Sequence, residues 1–96
     1  MITRHISVIG RVQGVGFRRW AEKHAIKDNL SGWVRNVSDG SVEIMIKGKE
    51  EDIHHFLSQC WQGPIFSNVI MVQPVTIPKN APLPIEEGVF KIVASV

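Results

Sequence analysis

The spacing of apolar residues changes twice along this chain, and the two changes together restrict what it can fold into. Ile6 and Val8 alternate with His5 and Ser7, the period of a strand over residues 2–10. Beyond Gly10 the period lengthens. Phe17, Trp20, Ala21, His24 and Ala25 recur at helical spacing to about Lys27, with charged residues opposite. Asn29 is expected to end this helix, because asparagine tolerates the left-handed conformation of a helix C-terminus. Alternation then returns in residues 33–37 and 41–47, on either side of Ser38-Asp39-Gly40, and Asp-Gly is a strong hairpin signal. Val42, Ile44 and Ile46 share one apolar face of the second run.

The helical period reappears over residues 50–61. Ile53, Phe56, Leu57, Cys60 and Trp61 form an apolar stripe. Glu50, Glu51 and Asp52 occupy the first turn, where negative charge suits the helix dipole. Gly63-Pro64 stops the helix. Residues 68–75 read as a strand. A connection punctuated by Pro74, Pro78, Pro82 and Pro84 follows, and the closing "GVFKIVAS" puts Phe90 and Ile92 on one face of a short last strand. The order βαββαβ, with that extra strand, predicts an α+β fold: a ferredoxin-like two-layer sandwich with two helices on one face of a mostly antiparallel sheet. A chain of 96 residues makes a single domain, 1–96, with one small core.

Composition narrows the function classes. No apolar run approaches the roughly 20 residues of a membrane helix, so no membrane partner is expected. The start, "MITRHISVIGR", lacks the apolar stretch of a secretory signal, and Cys60 is the only cysteine, so a cytoplasmic protein without disulfides is expected. Two matches to the glycosylation sequon, at Asn29 and Asn36, are then coincidences. The net charge of +2 is unevenly spread: +5 over residues 1–36 and −3 over the remainder. Such a field draws in a small anion, but the total is too low for non-specific nucleic-acid binding.

The stretch "GRVQGVGFRRW", from Gly10 to Trp20, joins the first strand to the first helix. Backbone N–H groups at a helix start are unpaired and the dipole there is positive, so the junction is suited to an anion. Gly14 and Gly16 can turn successive N–H groups into one concavity, and Arg18 can fork onto two phosphate oxygens. A glycine-rich tight turn followed by surface arginines explains the same spacing equally well. A Rossmann loop would need glycine at position 19, which is Arg19, and a Walker loop would need Gly-Lys-Ser/Thr, which is missing.

"GRVQGVGFR" followed by "GWVRNVSDGSVE" resembles the two signatures of the acylphosphatase family, in the right order and at about the right separation. The resemblance runs through the whole chain, to the "QGP" after the second helix and the closing "GVFKIVAS". It implies an enzyme that hydrolyses acyl phosphates to a carboxylate and phosphate without metal or cofactor. It implies a phosphate loop made of Gln13, Gly14, Val15, Gly16, Phe17 and Arg18. It puts the catalytic arginine at Arg18 rather than Arg19, and the residue that positions the attacking water at Asn36. Without the resemblance, Asn36 would read as a polar residue at a strand end. Two positions depart from the family: Asp28 replaces a customary apolar residue and Ser67 a small alanine. Both bear on stability more than on activity.

The other reactive side chains have plainer readings. The adjacent His54 and His55 lack metal-ligand spacing and belong to a solvated helix face; His24 is structural; Cys60 holds a core position and is a buried thiol. Arg11, Arg19 and Arg35 are expected to supply field and surface contacts. The alternative functions are a non-catalytic acyl-phosphate-binding module and an RNA-binding ferredoxin-like module. The RNA reading needs exposed aromatics on the central strands, and Ile6, Val8, Val42, Ile44 and Ile46 are aliphatic. Acylphosphatase-like domains also occur inside larger carbamoyl-transferring maturation proteins. The chain from Met1 to Val96 is expected to stand alone as a monomer whose partner is a small acyl phosphate. No feature of the sequence selects among acetyl, carbamoyl and bisphosphoglycerate-type acyl groups.

Overall fold

The structure, a computed structural model, describes residues 1–96. Seven elements follow one another: β1 (Ile2–Arg11), α1 (Phe17–Lys27), β2 (Ser31–Asn36), β3 (Val42–Gly48), α2 (Glu50–Cys60), β4 (Asn68–Pro74) and β5 (Phe90–Ile92). The five strands make one sheet in the order β4-β1-β3-β2-β5. β1 pairs antiparallel with β3 and β4, β2 antiparallel with β3, and only β5 runs parallel to its neighbour. The fold is the ferredoxin-like α+β sandwich. β1 and β2 lie on either side of β3, so α1 crosses over the sheet between them.

Register explains which residues form the core. Ile6, Ile44 and Val34 stand abreast on β1, β3 and β2, as do Val8 and Val42, and all five are buried. Above them lie Phe17, Ala21 and Ala25 of α1, and Ile53, Phe56 and Cys60 of α2. Deleting a side chain such as Phe56 from this layer removes about 3–5 kcal/mol. Asn29 takes φ 59°, the left-handed conformation expected where α1 ends. Trp61, expected in the apolar stripe of α2, is instead 49 % exposed. Its backbone is still in the helical region, but the buried centre of the stripe is Ile53, Phe56 and Cys60, and Trp61 lies at the edge of the stripe with the half-buried Leu57.

The two positions that depart from the family pattern each gain a polar partner. His55 Nδ1 donates to Asp28 Oδ2 at 2.9 Å, linking the end of α1 to α2. Ser67 Oγ donates to Pro64 O at 2.7 Å and closes the turn after Gly63.

The opposite sheet face is also covered. His5, Ser7, Trp33, Arg35, Glu43 and Met45 point there, and the proline-punctuated connection between β4 and β5 lies across them. Trp33 Nε1 donates to Leu83 O at 3.0 Å, and Arg35 Nη2 to Ala81 O at 3.3 Å. Arg35 is not a surface residue as the sequence suggested: it is 2 % exposed. Its Nε donates to Glu43 Oε1 at 2.6 Å, His5 Nε2 donates to the other carboxylate oxygen, and the guanidinium lies 4.5 Å from the Trp33 ring centroid.

Candidate active site

The β1–α1 loop, Val12 to Gly16, closes over one end of the sheet. Gly14 and Gly16 take φ 72° and 81°, a region that disfavours any side chain, and open space faces both Cα atoms. The glycines are therefore required by backbone angle rather than by crowding. No backbone N–H from Gln13 through Arg18 makes a backbone hydrogen bond of good geometry. Trp20 N, bonded to Gly16 O at 3.0 Å, is the first donor of α1 to be satisfied.

The two helices begin in opposite ways. α2 has Glu50, Glu51 and Asp52 in its first turn, which compensate its dipole. α1 has no acid there and no side-chain cap, and it carries Arg18 and Arg19 against its own dipole. This start is unfavourable for the helix alone and becomes favourable when an anion lies on it.

A cleft of about 230 Å³ opens at this point. Gly14, Gly16, Phe17, Arg18 and Arg19 line it from the loop and α1, Asn36 from the end of β2, and Val12 and Ile92 complete the wall. No acid lines it, and neither arginine forms an ion pair. Asn36 is fixed by its backbone: it pairs with Val42 on β3, and its carbonyl accepts from Val96 N at 3.0 Å. Its side-chain Oδ1 is buried and has no hydrogen-bond partner in the protein. A buried acceptor without a partner costs about 1–3 kcal/mol, so the fold itself makes no use of the polar end of this cleft residue.

The residues expected from the sequence divide by role. Gly14, Gly16, Phe17, Arg18 and Asn36 all reach the cleft, although the Phe17 ring is largely in the core beside Trp20. Gln13 and Val15, also expected in the phosphate loop, do not line the cleft. The Val15 side chain packs against the core. The Gln13 amide donates to Val37 O at 2.7 Å and to Ser41 O at 2.8 Å, which ties the loop to the hairpin beside Asn36. Glutamine in a glycine loop gives no sign of this in the sequence, because its acceptors lie 24 and 28 residues away. Burial pushes the Cys60 thiol far up in pKa, so it is a core residue and not a nucleophile. No helix is long and apolar enough to cross a membrane.

Known proteins with this geometry agree. The acylphosphatase family profile matches residues 4–92. An acylphosphatase from Alcanivorax borkumensis is 45 % identical over 69 residues, covering 72 % of this chain and 75 % of that protein. The crystal structure of acylphosphatase from Bacillus subtilis superposes with a TM-score of 0.80 at 37 % identity, over 97 % of this chain and 99 % of that one. Full-length HypF, solved in its phosphate- and nucleotide-bound form, contains a similar domain: 35 % identity and a TM-score of 0.78 over 97 % of this chain, but only 12 % of HypF. The chain belongs to the acylphosphatase family.

Proposed function

We propose that the acylphosphatase activity of this chain is carried by the 13–18 loop with Arg18, which hold the phosphoryl group, and by Asn36, which positions the attacking water. The observation that carries this reading is the pairing, in one cleft, of an unsatisfied arc of N–H donors with a buried acceptor that has no partner. The donors and the Arg18 guanidinium match three equatorial phosphoryl oxygens, where charge is spread in the transition state. Asn36 Oδ1 accepts a hydrogen bond from water and so turns a lone pair of that water toward phosphorus. The new P–O bond forms as the bond from phosphorus to the acyl oxygen breaks. The electron pair leaves with the carboxylate, and the water's proton passes to a phosphate oxygen of the substrate. A carboxylate leaving group, with a conjugate-acid pKa of about 4, departs without a general acid. The cleft has no acid to supply, which accounts for a preference for acyl phosphates over alkyl phosphate esters.

The residues assigned to the phosphoryl group and to the water come from the β1–α1 loop, α1 and β2, which supports residues 1–96 as one catalytic domain. The lone buried Cys60 suits a reducing cytoplasm.

Loss of benzoyl phosphate, followed spectrophotometrically with EDTA present, tests the assignment. Wild type is expected to turn over. Arg18→Gln is expected to lower kcat/KM by roughly 10²–10³, the scale of removing one preorganised donor to developing charge. Asn36→Ala is expected to lower kcat with little change in KM, because its partner is water rather than substrate. Full activity in folded Asn36→Ala would remove the asparagine from the mechanism. A folded wild type that binds phosphate but does not turn over would leave a binding module.

A further inference from the structure

Arg19 stands beside Arg18 in the cleft, and its charge is not answered by anything in the protein. It is exposed and forms no ion pair and no side-chain hydrogen bond, whereas Arg35, Lys47, Lys79 and Lys91 each hold a carboxylate. Its placement is unfavourable in two ways. It lies in the first turn of α1, where a cation opposes the dipole, and four residues ahead of Lys23, a like charge on the same helix face. Only two acids occur in residues 1–36. Glu22 makes no ion pair, and Asp28 accepts from His55. An arginine of this kind on an ordinary surface would simply face solvent. Here it borders a cleft of about 230 Å³ that no carboxylate lines.

The phosphoryl end of a substrate is already accounted for by Arg18 and the loop donors. What remains for the acyl group is a short apolar wall, Val12 and Ile92, with Arg19 at the margin. We infer that Arg19 is a specificity-determining residue that selects acyl phosphates whose acyl group carries a second negative charge. The inference rests on the assignment of the loop and Arg18 to the phosphoryl group. The wall discriminates weakly among small uncharged acyl groups, since a methylene in an apolar contact changes rate only modestly. A carboxylate or second phosphate held by the guanidinium gains a charge-assisted, forked hydrogen bond.

Two rigid substrates isolate the effect: 4-carboxybenzoyl phosphate and 4-carbamoylbenzoyl phosphate, alike in shape and differing by one charge. The readout is the ratio of their kcat/KM values, in which any general effect of Arg19 on the shared phosphate cancels. Wild type is expected to favour the carboxylate roughly tenfold at low salt, equivalent to about 1.4 kcal/mol. The preference is expected to shrink as ionic strength rises. Arg19→Gln is expected to bring the ratio to about one or below, and Arg19→Lys to restore part of it. A wild-type ratio near one, or a preference that survives in Arg19→Gln, overturns the inference and leaves the acyl-phosphate reading intact. Failure of wild type to hydrolyse either compound overturns that reading, and this inference with it.

Discussion

Asp39 shows how much one side chain sets at the turn next to the candidate site. Its carboxylate accepts from Ser41 Oγ at 2.6 Å and from Ser41 N at 2.9 Å, with Lys79 Nζ at 3.0 Å on the other oxygen. These bonds favour the charged form, Ser41's hydroxyl most, and hold the pKa down from 3.8 to about 2. The depressed carboxylate contributes stability that is fully present above about pH 4 and is lost as pH falls through about 2. The Ser41→Ala change is expected to move the Asp39 titration, read by NMR on the carboxyl carbon, back toward 3.8. It is also expected to remove this carboxylate's part in the loss of stability below about pH 4. An unmoved midpoint would assign the shift to the Ser41 backbone N–H and Lys79, which the substitution leaves in place. Gln13 acts at the same hairpin from the other side, since both carbonyls it holds belong to Val37 and Ser41.

Helix α1 is where local stability and function diverge. Its first turn carries free N–H groups, an αL glycine at the cap and two cations, so nothing covalent holds that end in the best state for a helix. A bound anion would supply what the missing cap does not. Inorganic phosphate at ten times its Kd is expected to stabilise the folded protein by about 1.4 kcal/mol. For a domain of this size that raises Tm by roughly 6–10 °C in a thermal melt. Arg18→Gln is expected to abolish most of the shift, and hydrogen exchange of the 13–18 amides is expected to slow with phosphate in wild type only. Equal shifts in both proteins would mean that phosphate acts as a general co-solvent and not at this helix end.

Across the whole molecule, the sheet separates two environments. One face carries the helices and the apolar core. The other carries a buried ionic cluster of Arg35, Glu43 and His5, roofed by the connection between β4 and β5. Glu43 is the hinge of that cluster, with one oxygen on each partner, and its side chain is 8 % exposed. Removing one member of a buried pair strands the other, so Glu43→Ala is expected to cost about 3–5 kcal/mol in urea unfolding. A loss below about 1 kcal/mol would mean that water reaches Arg35 through the roof. Trp33 lies under the same roof and is fully buried, so its ring offers no stacking surface to a nucleic-acid base.

The order of elements, the α+β class and the hairpin at Asp39-Gly40 were legible from residue spacing, as was the glycine-rich junction between β1 and α1, which spacing alone left open between a plain turn and an anion cradle. Period-two and helical patterns report which face of an element is buried, and glycine reports a backbone angle. These are local properties. The pairing of Arg18 with Asn36 was legible only through family signatures, because residues 18 apart on different elements share no local pattern. Three things were decided by tertiary structure alone. Arg35, outward-facing by alternation, is buried because a connection far along the chain covers that face. Trp61, in register with the helical stripe, is exposed because only the centre of that stripe, Ile53, Phe56 and Cys60, is covered by the rest of the fold. Gln13, unremarkable in its loop, braces the site because folding brings two carbonyls of a hairpin within reach of its amide. For Arg35 and Gln13 the deciding partner is distant in sequence, and only packing of the whole chain fixes whether a side chain meets water, a charge or a carbonyl.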